Sequence, residues 1–452
     1  MGKNKIFGTD GVRGLANKNP MDSEMALKLG RASALVLRNG AHRHRIVIGK
    51  DTRLSGYMLE TALASGIVSA GSDVFLAGPL PTPGVAFIAK SMRCDAGVVI
   101  SGSHNDYRDN GIKFFDKDGF KLSDTTEAKI EETMFGSAMD SGRATPENLG
   151  KAFRIDDADG RYTQFLKNCF PRDLNLEGLK IVVDCSNGAG YVVAPNVLGE
   201  LGAHVYPIAH HPDGTNINRN CGSLHTEELC RHVKEINAEC GIALDGDADR
   251  VIMCDEKGQI VDGDVILALC AHYWKQKGTL KKDTVVATVM SNLALDHFME
   301  KNQIKLVKTQ VGDRYVVEAM RKQGYNMGGE QSGHLLFLDY NTTGDGILGA
   351  LMVLQIMLEQ QKPLSELRRI LTPYPQVLIN VNVKEKKDFK EVPPVWHVIQ
   401  EVEKRLGKSG RILVRYSGTE NIARIMVEGE EAHKIRSLAG MVEEVIHQNL
   451  GR

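Results

Sequence analysis

Six consecutive residues, Asp245-Gly246-Asp247-Ala248-Asp249-Arg250, set three carboxylates at alternate positions directly after the apolar run Gly241 to Leu244. Alternate residues of an extended segment point the same way, so hard oxygen ligands would gather at one strand end. Such a set suits an octahedral dication such as Mg2+, and the Arg that follows can reach a phosphate sharing the metal. An EF-hand calcium loop competes for the same residues, because Asp245, Asp247, Asp249 and Glu256 fall at its first, third, fifth and twelfth positions. Arg250 stands where that loop needs Gly, and both flanks, Gly241 to Leu244 and Val251 to Cys254, have strand-like composition, which argues against it. A plain solvated acidic turn would leave the crowded carboxylates to repel one another without a cation. The stretch is expected to bind a metal and a phosphate.

A second loop follows the apolar run Gly97 to Ile100: Ser101-Gly102-Ser103-His104-Asn105, then Asp109-Asn110-Gly111-Ile112-Lys113. A serine on a glycine-flanked turn at a strand end suits a nucleophile or a phosphorylated hydroxyl. The GxSxG of a hydrolase elbow is missing, and alone this loop would be a polar turn with capping hydroxyls. Three further loops accompany it: GTDGVRG at 8–14, GGEQSGH at 328–334 and RYSGTEN at 415–421, with Arg424 shortly after. Taken singly, the second is a glycine-rich hairpin and the third a β-turn with a surface Arg.

Positioning these loops requires strands that end at them. Between 22 and 140 the pattern alternates between an amphipathic run at Glu24 to Leu37, strands at Ile46 to Ile48, Val74 to Leu76 and Ala96 to Ile100, and a helix near Leu59 to Ala70. Strands separated by helices predict a largely parallel sheet with functional loops at the strand C-termini. The rhythm restarts after a polar stretch at Ser141 to Gly150, with strands at Lys180 to Asp184 and Gly241 to Leu244. It restarts again after Asp262, with a helix at Asp264 to Trp274 and strands at Val285 to Thr288 and Ile304 to Val307; Ile347 to Leu358 reads as a core helix. Beyond Pro373 the pattern changes to strands at Gln376 to Val383, Arg411 to Val414 and Ala423 to Val427, closed by an amphipathic helix at Ala432 to Gln448. Three α/β units in series followed by a smaller α+β unit are the simplest account; no tandem repeat stands alone in the sequence, and a three-fold kinship between the α/β units is only suspected.

The bulk properties agree with a soluble, multidomain protein. A chain of 452 residues exceeds what one hydrophobic core supports, and 42% apolar with 25% charged residues is ordinary for a globular protein. A net charge of -1 offers no field for nucleic acid or anionic membrane, so partners are expected to be small molecules or protein. The 8 cysteines form no CxxC pair, which points to reduced core residues in place of a zinc or disulfide framework. The N-terminal stretch lacks the apolar core of a signal peptide and no apolar run approaches a membrane span, so a cytoplasmic location is expected. The cluster His42, Arg43, His44 and Arg45 reads as a solvated strand entry.

Together SGSHN, DGDADR, GTDGVRG, GGEQSGH and RYSGTEN resemble, in the same order along essentially the whole chain, the α-D-phosphohexomutase family. The GEQSGH form of the sugar loop and the stretch His211 to His225 are similar to its glucosamine-phosphate subgroup, whereas phosphomannomutase/phosphoglucomutase members usually carry GEMSGH. The resemblance implies three related α/β domains with mixed sheets plus a smaller, mobile C-terminal α+β domain around a central cleft, with boundaries at 1–150, 151–255, 256–371 and 372–452. It implies a phosphoserine at Ser103 that joins Asp245, Asp247 and Asp249 in binding one Mg2+. Three carboxylates and a phosphoserine would total roughly -5, the phosphate bringing about -1.5 to -2, so a dication must hold the cluster together and Arg250 adds to it.

By the same resemblance Arg13, Lys113 and His334 stand near the reacting oxygens, where one takes the hydroxyl proton, and Glu330 and Ser332 meet the ring hydroxyls. Arg415, Ser417, Gly418 and Thr419, with Arg424, supply a guanidinium fork, hydroxyls and backbone N–H groups for the phosphate that is not reacting. The implied reaction interconverts glucosamine 6-phosphate and glucosamine 1-phosphate, with glucosamine 1,6-bisphosphate or a similar activator, in a monomer or homodimer, and its product would feed UDP-N-acetylglucosamine synthesis. A phosphomannomutase or phosphoglucomutase is the alternative, set apart only by Gln331 and the 211–225 stretch. A non-catalytic sugar-phosphate sensor would need no phosphoryl carrier, so Ser103, the Asp residues and Lys113 argue against it. The chain departs from the usual SASHNP and RPSGTEP at Gly102, Asp106, Tyr416 and Asn421. Losing three prolines and one Cβ would loosen both loops without removing a chemical group.

Overall fold

The computed structural model describes residues 5–8, 10–417 and 421–451, apart from the side chain of Lys408. The first sheet is built from β1 (Phe7–Gly8), β2 (Gly11–Leu15), β3 (Arg45–Lys50), β4 (Asp73–Pro79), β5 (Ala96–Ile100), β6 (Asp109–Asp116) and β7 (Ala152–Arg154), in the order β1-β2-β6-β5-β3-β4-β7. The strands β5, β3, β4 and β7 run parallel, while β6, β2 and β1 are antiparallel neighbours. The sheet is therefore mixed, not largely parallel. Its antiparallel part is built from the GTDGVRG segment and from the strand that carries Lys113, which the helix-strand alternation does not reveal.

The second sheet contains β8 (Lys180–Asp184), β9 (His204–Ile208), β10 (Cys240–Leu244), β11 (Val251–Asp255) and β12 (Ile260–Val261), ordered β12-β11-β10-β8-β9. The third contains β13 (Thr284–Thr288), β14 (Lys305–Thr309), β15 (Met327–Gly329) and β16 (Leu335–Phe337), ordered β14-β13-β15-β16. A common plan underlies all three. The runs β4-β3-β5-β6, β9-β8-β10-β11 and β14-β13-β15-β16 each place three parallel strands beside one antiparallel strand. In each, the chain leaves the third strand, makes one short loop and returns antiparallel beside it. Those three loops are the ones that carry SGSHN, DGDADR and EQSGH, so the kinship suspected between the α/β units is visible as topology.

Local chemistry sets the elements. Strands β5 and β10 are buried along their whole length, which is why they read as unbroken apolar runs. Asp22, Asp262 and Asp345 each begin a helix by accepting the backbone N–H three residues on, from Met25, Val265 and Leu348. The helix Gly346–Gln360 is buried on nearly every side, as its continuous apolar sequence requires. His42 Nε2 lies 2.8 Å from Asp95 Oδ1, and Asp95 Oδ2 accepts the N–H of Arg45 at 2.8 Å, so the basic cluster at the entry to β3 is tied to the neighbouring strand.

Two compact units divide the chain: Met1–Met290 with Ile304–Ile370, and Ser291–Gln303 with Leu371–Arg452. The three mixed sheets belong to the first. In the second, β17 (Gln376–Asn382), β18 (Gly410–Tyr416) and β19 (Ile422–Gly429) form an antiparallel sheet ordered β17-β19-β18, with the helices Pro393–Leu406 and Ala432–Leu450 supplying its core. Among the described residues, no helix is long and apolar enough to cross a membrane.

Candidate active site

The loop between β10 and β11 brings one ligand atom each from Asp245, Asp247 and Asp249 within 4.8 Å of one another, all buried. Alternation along an extended strand is not how it does so. Residues 245–250 form turns, and Ala248 adopts a left-handed conformation with φ of 55°. The chain curls, and the carboxylates converge from a tight loop. Gly246 is required there: a Cβ would stand 2.5 Å from the carbonyl oxygen of Ser103 and 2.9 Å from Asn218 Nδ2.

Ser103 reaches this cluster from the loop between β5 and β6. Its Oγ donates to Asp245 Oδ2 at 2.8 Å, and its own backbone is left-handed, with φ of 52°. Asp245 also accepts the N–H of Arg250 on Oδ1 at 3.1 Å. Asp247 Oδ2 accepts from Thr82 Oγ1 at 2.6 Å and Lys113 Nζ at 2.9 Å, while its Oδ1 is buried with no hydrogen-bond partner. Burial, Asp249 and Asp247 push the Asp245 carboxyl well above the usual range. Burial would raise Asp249 too, but Lys113 and His334 hold it well below. A buried triad of oxygen ligands, in which Asp247 Oδ1 and Asp249 Oδ1 both lack a hydrogen-bond partner, fits a hard dication.

Cations ring the acidic centre. Lys113, on β6, lies 2.9 Å from Asp247, 3.4 Å from Asp10 and 3.5 Å from Asp249, and despite burial these carboxylates hold its ammonium above the ordinary lysine range. Arg13, on β2, pairs with Asp10. Burial opposes charge on Arg250, yet Asp249, with Oδ1 at 3.9 Å from its Nε, and Asp245 keep the guanidinium raised. His334 lies between Asp249 Oδ1 at 3.6 Å and Asp313 Oδ2 at 3.3 Å, which raise its pKa against the effect of burial. Lys121 bonds Asp313 at 2.6 Å and also pairs with Asp10, linking the first sheet to the loop system of the third. A cavity of about 770 Å³ opens beside this network, lined by Lys121, Asp313, Arg314 and Arg321 among others.

Ser103, Arg13, Lys113, Asp245, Asp247, Asp249, Arg250 and His334 are thus joined in one network of polar contacts. On the sugar loop, Glu330 Oε1 accepts the N–H of Gly312 at 3.1 Å, and Ser332 is exposed. Gln331, the residue that distinguishes GEQSGH, donates from Nε2 to Asp262 Oδ2 at 3.4 Å. In the second unit, the β18–β19 register sets Arg415 directly opposite Arg424. Like charges facing across strands repel, which is a natural arrangement for gripping a dianion. Burial and Arg424 together lower the Arg415 pKa. Ser417 is buried, its N–H donating to the carbonyl of Ile422 at 2.8 Å. Gly418 and Thr419 lie outside the described residues.

Contacts surround two of the departures from the usual motif, Tyr416 and Asp106. The Tyr416 ring stacks on Phe389 at 4.3 Å, and its hydroxyl donates to the carbonyl of Lys387 at 2.7 Å. On the serine loop, the carbonyls of Ser103, Asn105, Asp106 and Asp109 all accept from the guanidinium of Arg53. Sequence reasoning missed Arg53, Thr82, Lys121 and Asp313, whose partners come from far along the chain. It also gave no role to His104, whose Nδ1 lies 3.3 Å from Ser103 Oγ and whose pKa is lowered to about 4 by burial, Arg250 and Arg13.

Comparison with known proteins agrees with this geometry. Models of the phosphoglucomutase/phosphomannomutase family match residues 4–140 (α/β/α domain I), 160–258 (α/β/α domain II), 262–374 (α/β/α domain III) and 378–445 (C-terminal domain). The phosphoglucosamine mutase of Geobacter sp. strain M21 is 60% identical over 447 residues, covering 99% of this chain and 98% of the relative. That of Syntrophotalea carbinolica is 58% identical over 450 residues, with 99% and 98% covered. Among solved structures, a phosphoglucomutase/phosphomannomutase family protein from Burkholderia thailandensis superposes with a TM-score of 0.81 at 24% identity, covering 98% of this chain and 97% of that one. The N-acetylphosphoglucosamine mutase of Aspergillus fumigatus, in complex with GlcNAc-6P and magnesium, superposes with a TM-score of 0.69 at 18% identity, covering 99% and 97%. With all four family domains matched in order and the reactive loops of the first three meeting at one acidic centre, the chain belongs to the phosphoglucomutase/phosphomannomutase family of α-D-phosphohexomutases.

Proposed function

We propose that this enzyme is a phosphoglucosamine mutase, interconverting glucosamine 6-phosphate and glucosamine 1-phosphate in the cytoplasm, with Ser103 as the phosphoryl carrier. The observation that carries this is the placement of Ser103 Oγ 2.8 Å from Asp245 within the buried Asp245, Asp247 and Asp249 cluster. Relatives about as similar as 60% over nearly the whole chain bear that enzyme's name, which supports the amino-sugar assignment over glucose or mannose phosphates.

In the forward direction the phosphoryl group on Ser103 moves to the free hydroxyl at C1 of glucosamine 6-phosphate. The P–Oγ bond breaks as the P–O1 bond forms, the hydroxyl proton leaves to a base, and Ser103 recovers a proton. The resulting 1,6-bisphosphate then returns its 6-phosphoryl group to Ser103 by the reverse exchange. Asp245, Asp247 and Asp249 would hold Mg2+, which when bound supplies positive charge to the transferring group. Lys113, kept charged by Asp10, Asp247 and Asp249, and Arg250 add fixed positive charge where the transferring oxygens would lie. His104, whose Nδ1 stands 3.3 Å from Ser103 Oγ, is a nitrogen able to exchange a proton with it. Arg13 and His334 complete the cationic wall, Glu330 and Ser332 meet the sugar hydroxyls, and Arg415, Ser417 and Arg424 with the adjoining Gly418 and Thr419 hold the phosphate that is not reacting.

Initial rates with glucosamine, glucose and mannose 6-phosphates, each with its 1,6-bisphosphate and Mg2+, test the assignment. The amino sugar should give the highest kcat/KM. A preference for mannose 6-phosphate would assign the enzyme to the phosphomannomutase branch instead.

A further inference from the structure

Ser103 sits in a strained backbone conformation, and something must hold it there. Its N–H donates to Ser101 Oγ at 2.8 Å, and Ser101 Oγ donates to Asp51 Oδ2 at 2.6 Å. Its carbonyl oxygen receives two donors from widely separated parts of the chain. One is Arg53 Nη2 at 2.9 Å; the other is Asn218 Nδ2 at 2.8 Å. The same two nitrogens also reach the carbonyl of Asn105, at 2.8 Å and 2.9 Å.

Arg53 is 0% exposed, and its side chain places every N–H it has. Nε donates to Asp51 Oδ2 at 2.8 Å, Nη1 to the carbonyls of Asp109 at 3.0 Å and of Asp106, and Nη2 to those of Ser103 and Asn105. A Cβ at position 102 would stand 2.9 Å from its Cζ, so Gly102 gives the guanidinium room to lie against the loop. Asn218 belongs to the 211–225 stretch, a feature of the second α/β unit with no assigned role. Its left-handed backbone, φ 57°, is set by its N–H on the carbonyl of Ser186 at 2.9 Å, and its side-chain oxygen accepts from Ser186 Oγ at 2.6 Å. The amide is thereby oriented with its nitrogen toward the serine loop.

We infer that Arg53 and Asn218 are positioning residues that clamp the Ser103 loop from the first and second α/β units and fix the aim of Ser103 Oγ at the acidic centre. This rests on the reading of Ser103 as phosphoryl carrier and deepens it. The clamp acts on the backbone of Ser103 itself, and the buried Arg53 has no route to a bound sugar. Releasing either donor lets the serine backbone relax toward an ordinary conformation, which swings Oγ away from Asp245. Misplacing a reacting atom by about 1 Å costs on the order of 10²-fold in rate.

The test uses Arg53→Lys, which keeps the charge but loses the planar fork, and Asn218→Gly, which keeps the left-handed backbone but deletes the donor. In the full-length enzyme with Mg2+, each is measured for kcat and KM with glucosamine 6-phosphate, and for the rate at which glucose 1,6-bisphosphate phosphorylates Ser103, followed by intact mass. Both should lower kcat and the phosphorylation rate by about 10²-fold while KM moves little. Asn218→Gly, at a half-buried position, keeps the test open if Arg53→Lys does not fold. A folded Asn218→Gly enzyme with the parent's kcat and phosphorylation rate, or one changed only in KM, overturns the inference. Ser103→Ala separates the two levels: if it retains activity the carrier reading falls, whereas an inactive Ser103→Ala beside an unimpaired Asn218→Gly removes only the clamp.

Discussion

Replacing Asp247 by Asn separates the charge of the triad from the hydrogen bonds that seat it. Asp247 Oδ2 accepts from Thr82 at 2.6 Å and Lys113 at 2.9 Å, whereas Oδ1 has no hydrogen-bond partner. An amide oxygen can take over both bonds of Oδ2, leaving the amide nitrogen at the open position where a metal ligand is needed. Lys113 keeps Asp10 at 3.4 Å and Asp249 at 3.5 Å, so its charge stays compensated. The Asn variant should therefore fold with a melting temperature near the parent's, yet lose about 2.7 to 4 kcal/mol of transition-state stabilisation, or roughly 10²- to 10³-fold in kcat. Asp247→Ala differs. It leaves the Thr82 hydroxyl and the Lys113 ammonium without the acceptor they share, and a buried donor left unsatisfied costs about 1 to 3 kcal/mol of stability. Initial rates across a Mg2+ series, with thermal melts in the presence and absence of Mg2+, distinguish the two. An Asn variant with normal turnover and unchanged Mg2+ dependence would place the metal elsewhere. An Asn variant as unstable as the Ala variant would refute the hydrogen-bond accounting.

Purified active enzyme should carry phosphate on Ser103, detectable by intact mass and peptide mapping, and Ser103→Ala should be inactive; full activity in that variant would end the phosphoserine mechanism. Glucosamine 6-phosphate should exceed glucose and mannose 6-phosphates in kcat/KM, by as much as about 10⁴-fold if the site hydrogen-bonds the amino group, as read from a competition assay. Arg415→Ala should weaken both the 6-phosphate and the 1-phosphate substrates by roughly 10- to 150-fold, the worth of one charge-assisted bidentate contact. It should not lower the stability of the C-terminal unit, because it removes a like charge directly opposite Arg424. Kinetics in both directions check this: an effect confined to one direction would mean that Arg415 serves a single binding orientation.

The elements that carry function were legible wherever the chain repeats a pattern or concentrates rare chemistry. Strands β5 and β10 announce themselves as apolar runs because both their faces are buried. SGSHN and DGDADR follow directly, so the serine and the three carboxylates that the structure brings together could be picked out from sequence. The antiparallel strands β2 and β6 were not legible: β2 pairs with β6 from far along the chain, and β6, although it follows β5 directly, reads as a continuation of the serine loop. Alternate spacing of the three Asp residues suggested convergence for the wrong reason; the turn at Ala248, which no spacing rule encodes, produces it.

What the sequence determined by itself was local: which residues could ligate a metal, which serine could carry a phosphate, and where helices and strands alternate. These depend on residue type and short-range periodicity, which one chain displays without folding. Tertiary structure alone decided that Ser103 Oγ meets Asp245 across 142 positions, that Thr82 and Lys113 seat Asp247 across 165 and 134, and that Arg53 and Asn218 share one carbonyl. Such contacts have no sequence signature. Each is fixed by how three mixed sheets pack their reactive loops together, and a buried charge is stabilised by whichever partner the packing delivers, however far away along the chain.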